Sequence, residues 1–121
     1  MYGVPADLPI QPFVGQELNK ICLTRFQTQL HFSGAGSISV EGRWELRDGP
    51  GEIVDRAEEH ETRESYRIHR LIDLAVARFS IDAPRSFTLF FANGLALTVF
   101  DDSEQYESFS INMDGEPPLY V

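Results

Sequence analysis

The three histidines are the residues best suited to metal binding or acid–base chemistry, because imidazole titrates near neutral pH. They are His31, His60 and His69. His60 is followed by a glutamate, as in the helical zinc-protease motif, which needs a second histidine four residues after the first. That position holds Glu64, so we expect surface histidines and no metal site.

Nucleophilic catalysis has one candidate, Cys22, which could face His31 across a hairpin. A reactive thiol also needs an orienting group or a helix N-terminus, and a strand-like run supplies neither. The sequence has no Gly-x-Ser-x-Gly elbow, and the glycines at 34 and 36 precede a strand-like run without the lysine of a phosphate loop. We therefore predict no catalytic residue, no cofactor and no enzymatic activity, with Cys22 as a small buried hydrophobe.

Negative charge dominates the sequence, which has 19 acidic and 10 basic residues and a formal net charge of −9. Such a surface repels nucleic acid and anionic membranes, whereas it attracts a basic protein. The plainer interpretation is that the charge keeps the chain soluble. The candidate partner-binding residues lie in two acidic segments: Glu58, Glu59 and Glu61, then Asp101, Asp102, Glu104 and Glu107. The second segment lacks the glycine and spacing of a calcium loop, so we expect a solvated turn there.

Alternating apolar and polar residues predict the strands that must position these segments. Ile38 and Val40 alternate with serines, and Leu97 and Val99 alternate in the same way after Asn93-Gly94. The Asn-Gly pair is a strong hairpin signal, since both residues tolerate a left-handed backbone.

The two strand-rich regions resemble each other. Leu30, Phe32, Ile38 and Val40 map onto Leu89, Phe91, Leu97 and Val99 at a constant offset of 59 residues. The preceding strand matches at an offset of 58 and the following strand at 65, which aligns Trp44 with Phe109. Alternation alone would produce part of this match. A three-stranded unit with one apolar face cannot bury that face by itself, so we expect the two units to pack together.

These patterns predict a single domain over 1–121 of the α+β class, predominantly antiparallel β. Two three-stranded units, about 17–47 and 74–112, would pack as a curved sheet, a sandwich or an open barrel. The charged stretch 52–65 is predicted as a loop or a polar helical turn. A helix over about 65–73 then joins the units, because Ser65 is a good helix cap and apolar residues follow it at helical spacing.

The ends of the chain are predicted to be extended. Residues 1–15 contain three prolines, which favour an extended arm, and its apolar residues are expected to lie against the body. Residues 113–121 are predicted as an extended tail. The arm has neither a basic start nor an apolar run, so it does not resemble a signal peptide, and we expect a cytoplasmic protein.

Two aromatic residues have an uncertain environment in the strand pattern. Phe90 and Phe100 point away from the core-facing Phe91 and Val99. They either form an exposed apolar patch, which usually marks a partner site, or are partly covered, since both faces of a sheet can be partly covered in a fold of this size.

The hairpin Leu89–Val99, with Phe91 and Asn93-Gly94, is followed by a Tyr-Glu-Ser-Phe motif at 106–109. Through these residues the second half of the chain resembles a family of small bacterial domains of uncharacterised function. Small acidic domains of this kind are similar to immunity proteins, which neutralise a toxin by binding it. The resemblance implies a binding protein without catalytic residues.

The resulting expectation is a binding protein of the immunity or inhibitor type with a basic protein partner. A structural or self-assembling module is the first alternative, using a strand edge or the proline-rich arm. A small-molecule site near His31, Arg43 or Arg78 is the second. We expect a monomer or homodimer.

Overall fold

The computed structural model describes residues 3–24, 27–34, 36–57, 65–101, 108–113 and 115–121. Within these ranges the chain forms ten β-strands and two single turns of 3₁₀ helix, Gln11–Phe13 and Ile68–Leu71. The strands are β1 (Leu18–Leu23), β2 (Thr28–Phe32), β3 (Gly36–Val40), β4 (Trp44–Arg47), β5 (Ile53–Ala57), β6 (Val76–Asp82), β7 (Ser86–Phe91), β8 (Ala96–Phe100), β9 (Phe109–Met113) and β10 (Leu119–Tyr120).

The described strands form two antiparallel sheets of five strands each. Sheet A has the order β1-β2-β3-β9-β10, and sheet B has the order β5-β4-β8-β7-β6. The inward side chains of both sheets belong to one apolar core, so the sheets pack face to face as a sandwich.

The two sheets share one topology. In each half of the chain the first three strands pair consecutively, and the fourth crosses to the other sheet. Thus β4 pairs with β8 in sheet B, and β9 pairs with β3 in sheet A. A bulge lies between Leu18 and Lys20 in β1, and another lies between Val76 and Arg78 in β6. Each half of the chain therefore completes the sheet of the other half.

The predicted α+β class is wrong, because the described chain is nearly all β. The helix expected over 65–73 is a single 3₁₀ turn, Ile68–Leu71. Ile68 and Leu71 are both buried, and residues three apart lie on the same side of a 3₁₀ turn, so one turn suffices to bury them. Asp73 follows with a left-handed φ of 72°.

Two finer expectations are also corrected. The two predicted three-stranded units do not exist as separate sheets, because β4 and β9 each join the sheet of the other half. Residues 53–57, expected in a charged loop, form β5 against β4.

The core consists of alternate strand residues that face the space between the sheets. Its central rows are Leu30, Ile38 and Ile111 in sheet A, and Leu89, Leu97 and Leu46 in sheet B. All six are at most 1% exposed. Burying one such side chain stabilises the fold by about 1.5–3 kcal/mol.

Two contacts at equivalent positions tie the sheets together. Trp44 of β4 donates from Nε1 to Oγ1 of Thr28 in β2 at 3.3 Å. The ring of Phe109 in β9 meets that of Phe87 in β7 edge-on, with centroids 4.9 Å apart. In both cases a strand that has crossed sheets contacts the second strand of its own half.

The arm and tail are part of the packed structure. Phe13, in the first 3₁₀ turn, is fully buried and its ring lies 4.9 Å from that of Phe32. The backbone N–H of Gly15 donates to the carbonyl of Val76 at 2.8 Å. At the other end, Val121 is buried and its N–H donates to the carbonyl of Phe109 at 2.9 Å.

Candidate functional site

Both acidic segments follow strands that finish at the same end of sheet B. β5 ends at Ala57 and β8 ends at Phe100. Trp44 of β4 pairs with Ala57 on one side and with Val99 on the other. Since neighbouring strands lie ~4.8 Å apart, the chain leaves the sheet at two points separated by about 10 Å.

Most of the predicted partner-binding residues lie outside the described residues. They are Glu58, Glu59, Glu61, Asp102, Glu104 and Glu107. The structure does place Ala57, which precedes the first segment, and Asp101, which begins the second, at one end of the sandwich.

Asp101, the predicted site residue that is described, has a structural role. Its carboxylate accepts hydrogen bonds from the backbone N–H of Gly3 and from the Ser108 hydroxyl, the second at 2.6 Å. Its own N–H donates to the carbonyl of Arg85 at 2.8 Å. Asp101 thus connects the arm, the β6–β7 turn and the start of β9.

Asp55 is a buried carboxylate that no pattern in the sequence distinguishes from its charged neighbours. It lies on β5 opposite Leu46, faces inward, and is only 5% exposed. Its carboxylate accepts from the N–H groups of Arg67 at 2.6 Å and Ile68 at 2.9 Å, and from Arg56 at 2.8 Å. The strand thereby holds the start of the 3₁₀ turn. No local sequence signal reveals this role, since the partners are twelve and thirteen residues away.

The outer face of sheet B carries two arginine–phenylalanine stacks. The guanidinium of Arg78 lies 3.6 Å from the ring centroid of Phe90, and that of Arg43 lies 3.7 Å from that of Phe100. Both rings are half-buried. Arginine covers these phenylalanines, which resolves the alternatives left open by the strand pattern.

A carboxylate and a hydroxyl pair lie between these stacks. Glu45 accepts from Arg43 at 3.2 Å and from Arg47 at 3.1 Å. The hydroxyls of Thr88 and Thr98, paired across β7 and β8, are 2.8 Å apart.

The outer face of sheet A is polar and carries little charge. Two rows of cross-strand neighbours lie on this face. The first row is Lys20, His31, Ser37 and Asn112, and the second is Cys22, Gln29, Ser39, Ser110 and Tyr120. Cys22 is half-buried, and it lies diagonally rather than directly opposite His31.

A shallow cavity of about 290 Å³ lies at one end of this face, lined by His31, Ser37 and Asn112 among others. Nε2 of His31 is buried and has no hydrogen-bond partner among the described residues. The other two residues predicted as alternatives for a small-molecule site, Arg43 and Arg78, lie on the other sheet, so the structure does not bring them together with His31.

In the ranges that the structure covers, no three His, Cys, Asp or Glu side chains are grouped as metal ligands would be. No helix among the described residues is long and apolar enough to cross a membrane.

Comparison with protein families, curated proteins and solved structures found no match to this chain. The resemblance to small bacterial domains therefore stays a prediction from the sequence motifs.

Proposed function

We propose that this chain is a binding protein of the immunity or inhibitor type, which engages a basic protein partner at the Ala57–Asp101 end of sheet B. The observation that supports the proposal is the common exit point of the two acidic segments. Segments far apart in sequence leave the sheet about 10 Å apart, across one intervening strand.

The charge of the two segments suits such a partner. Residues 58–64 contain four glutamates and one arginine, and residues 101–107 contain four carboxylates. Charge concentrated at one end steers an oppositely charged protein and raises its association rate. The predicted resemblance to small bacterial domains, through the hairpin 89–99 and the motif at 106–109, supports the same class of function.

The test begins with a partner crosslinked to the chain in its source cells and identified by mass spectrometry. Binding kinetics with the purified partner are then measured from roughly 50 to 500 mM salt. We expect a basic partner and an association rate that falls steeply with salt.

Charge-neutralised variants locate the surface. One triple variant carries Glu58→Gln, Glu59→Gln and Glu61→Gln. The other carries Asp102→Asn, Glu104→Gln and Glu107→Gln. Each should slow association by about tenfold at low salt. The matched control neutralises three exposed carboxylates elsewhere, Asp7, Glu17 and Glu116, and should change the rate by less than about twofold. An acidic partner, or equal effects in all three variants, would contradict the proposal.

A small-molecule site is the second candidate. It is favoured by the cavity that His31 lines and by the buried Nε2 of that residue, which has no hydrogen-bond partner among the described residues. The volume of about 290 Å³ is at the lower limit for such sites. A fragment screen by NMR should then shift the signals of His31, Ser37 and Asn112. Absence of any hit at these three residues would remove this candidate.

A further inference from the structure

We propose that sheet A binds an uncharged amphipathic alcohol at the end where β2 turns into β3. The amphiphile site consists of two cavities, the polar cavity of about 290 Å³ at His31 and an apolar groove of about 780 Å³. Gly34 and Met113 line both cavities, so the two adjoin. The inference rests on the small-molecule candidate above and gives it a ligand class, and it is independent of the protein partner.

The polar head of the ligand follows from the side chain of His31. Its Nε2 is buried and, among the described residues, it is the one buried side-chain nitrogen or oxygen without a hydrogen-bond partner. Buried polar atoms in folded proteins are nearly always paired with protein or ordered water. A hydroxyl group both donates and accepts, so it pairs with Nε2 in either neutral tautomer of the ring.

The fold does not require a histidine at this position, as the other sheet shows. His31 lies on the second strand of its half, between β1 and β3, and Phe90 lies at the same place in the other half, between β6 and β8. The guanidinium of Arg78 covers the Phe90 ring at 3.6 Å from its centroid. An apolar ring thus fills this position without an unpaired buried atom, and a bound hydroxyl explains why sheet A has a histidine there.

Two further polar side chains reach the same cavity from the neighbouring strands. Ser37 of β3 pairs with His31, and Asn112 of β9 pairs with Ser37 on the other side. All three residues line the cavity, and their strands span about 10 Å. The serine hydroxyl and the asparagine amide offer donors and acceptors that complete the hydrogen bonds of a small head group.

The apolar groove lies between the two ends of the chain and receives the body of the ligand. The arm contributes Pro9 and Pro12, and the tail contributes Pro117, Pro118 and Leu119. The proline ring is apolar and the residue has no backbone N–H, so these walls favour hydrocarbon. The volume of about 780 Å³ lies within the range of roughly 300–1,000 Å³ that is typical of small-molecule sites.

The charges around the amphiphile site favour a neutral ligand. Lys20 lies beside His31 across the pairing of β1 with β2, and it disfavours a cation at the head group. Glu116 lines the apolar groove and disfavours an anion, as does the net charge of −9. An alcohol with an apolar body satisfies both conditions.

The amphiphile site is separate from the surface proposed for the protein partner. β9 begins at Phe109, directly after the Ser108 that donates to Asp101, and it ends at Met113 in the amphiphile site. Four residues of strand place these two ends about 14 Å apart. Failure of either proposal therefore leaves the other in place.

The probe is hexan-1-ol, titrated into ¹⁵N-labelled protein and followed by NMR. It should shift the ring Nε2 signal of His31. The amide signals of Ser37, Asn112 and Leu119 should move with the same dissociation constant. Ethanol should bind at least about tenfold more weakly, because it buries four fewer methylene groups. 1-Chlorohexane keeps the six-carbon chain without the hydroxyl and should bind at least about threefold more weakly.

Two histidine variants test the position of the head group. His31→Phe introduces the residue that sheet B has at the equivalent place, so the protein should stay folded, which thermal melting verifies. The variant should bind hexan-1-ol and 1-chlorohexane equally, within about 1.5-fold, because the hydroxyl loses its partner. His69→Phe, in the second 3₁₀ turn, is the matched control at an exposed site and should keep the preference of the parent protein.

Charged analogues test the ligand class. Hexanoate and hexylammonium should each bind at least about threefold more weakly than hexan-1-ol, since each meets a like charge at the site. Equal or tighter binding of either ion would overturn the uncharged class. The same preference for hexan-1-ol in both histidine variants would overturn the role of His31, and a titration that shifts no signal of the amphiphile site would overturn the site itself.

Discussion

Asp55 shows how a single charged residue organises a neighbouring loop. Its buried carboxylate accepts three backbone N–H groups, two of which begin the 3₁₀ turn that places Ile68 and Leu71 in the core. Hydrogen bonds to a charged acceptor stabilise a fold by about 1.5–3 kcal/mol each, and leaving a buried donor unpaired costs a similar amount.

Asp55→Asn should lower the free energy of unfolding by about 2–3 kcal/mol, because the amide group turns one acceptor into a donor that faces other donors. Urea denaturation measures the change. Asp48→Asn is the control, since Asp48 accepts the Glu52 N–H at 2.9 Å in an exposed turn and an amide oxygen can replace it. The control should lose less than about 1 kcal/mol. Equal losses in both variants would show that the carboxylate of Asp55 does not hold the turn.

At the level of elements, strand β3 depends on a close approach to β9. Gly36 pairs with Met113 and has a φ of 129°, which side chains rarely allow. A Cβ atom at this position would lie 1.9 Å from the carbonyl oxygen of Asn112. The first residue of β3 must therefore be glycine for β9 to join sheet A in this register.

Gly36→Ala should destabilise the protein by about 3 kcal/mol or more, from strain and the displaced backbone together. Gly49→Ala is the matched control, because no atom lies within 4 Å of its added Cβ. The control should stay within about 1 kcal/mol of the parent. Chemical denaturation compares the two, and a Gly36→Ala protein as stable as the control would contradict the register of β3 and β9.

Other elements show where local patterns fail. The strands with clean alternation, such as β3 and β8, lie where the sequence predicts them. β5 escapes prediction because its inward position is Asp55, a charged residue whose partners come from a distant turn. The bulge between Val76 and Arg78 changes which residues of β6 face inward, and a simple period of two cannot show that.

At the scale of the whole molecule, the exchange of β4 and β9 makes the two halves interdependent. Sheet A needs β9 beside β3, and sheet B needs β4 beside β8. Without the exchange, each half would leave a strand edge and an apolar face exposed to water.

The fragments 1–57 and 58–121 should therefore each lack stable structure and should fold when mixed. Circular dichroism and amide dispersion in NMR spectra measure this for each fragment and for the equimolar mixture. The intact chain is the control for the fully folded signal. A fragment that by itself shows the circular dichroism and the amide signal dispersion of a folded protein would contradict the interdependence.

The candidate sites also belong to this larger scale. The sequence contains both acidic segments, but their common exit from sheet B depends on β4 lying between β5 and β8. The outer face of sheet B is likewise not apparent from the sequence, because its residues, such as Arg47 and Arg78, come from opposite halves of the chain.

By itself, the sequence determined the hairpins and most of the strands, because alternation and the left-handed tolerance of glycine and asparagine act over a few residues. Tertiary structure decided that Ile68 and Leu71 belong to one 3₁₀ turn, that β4 and β9 exchange sheets, and which polar side chains share a face. Those choices depend on burying both apolar faces at once, a condition that only the complete sandwich satisfies.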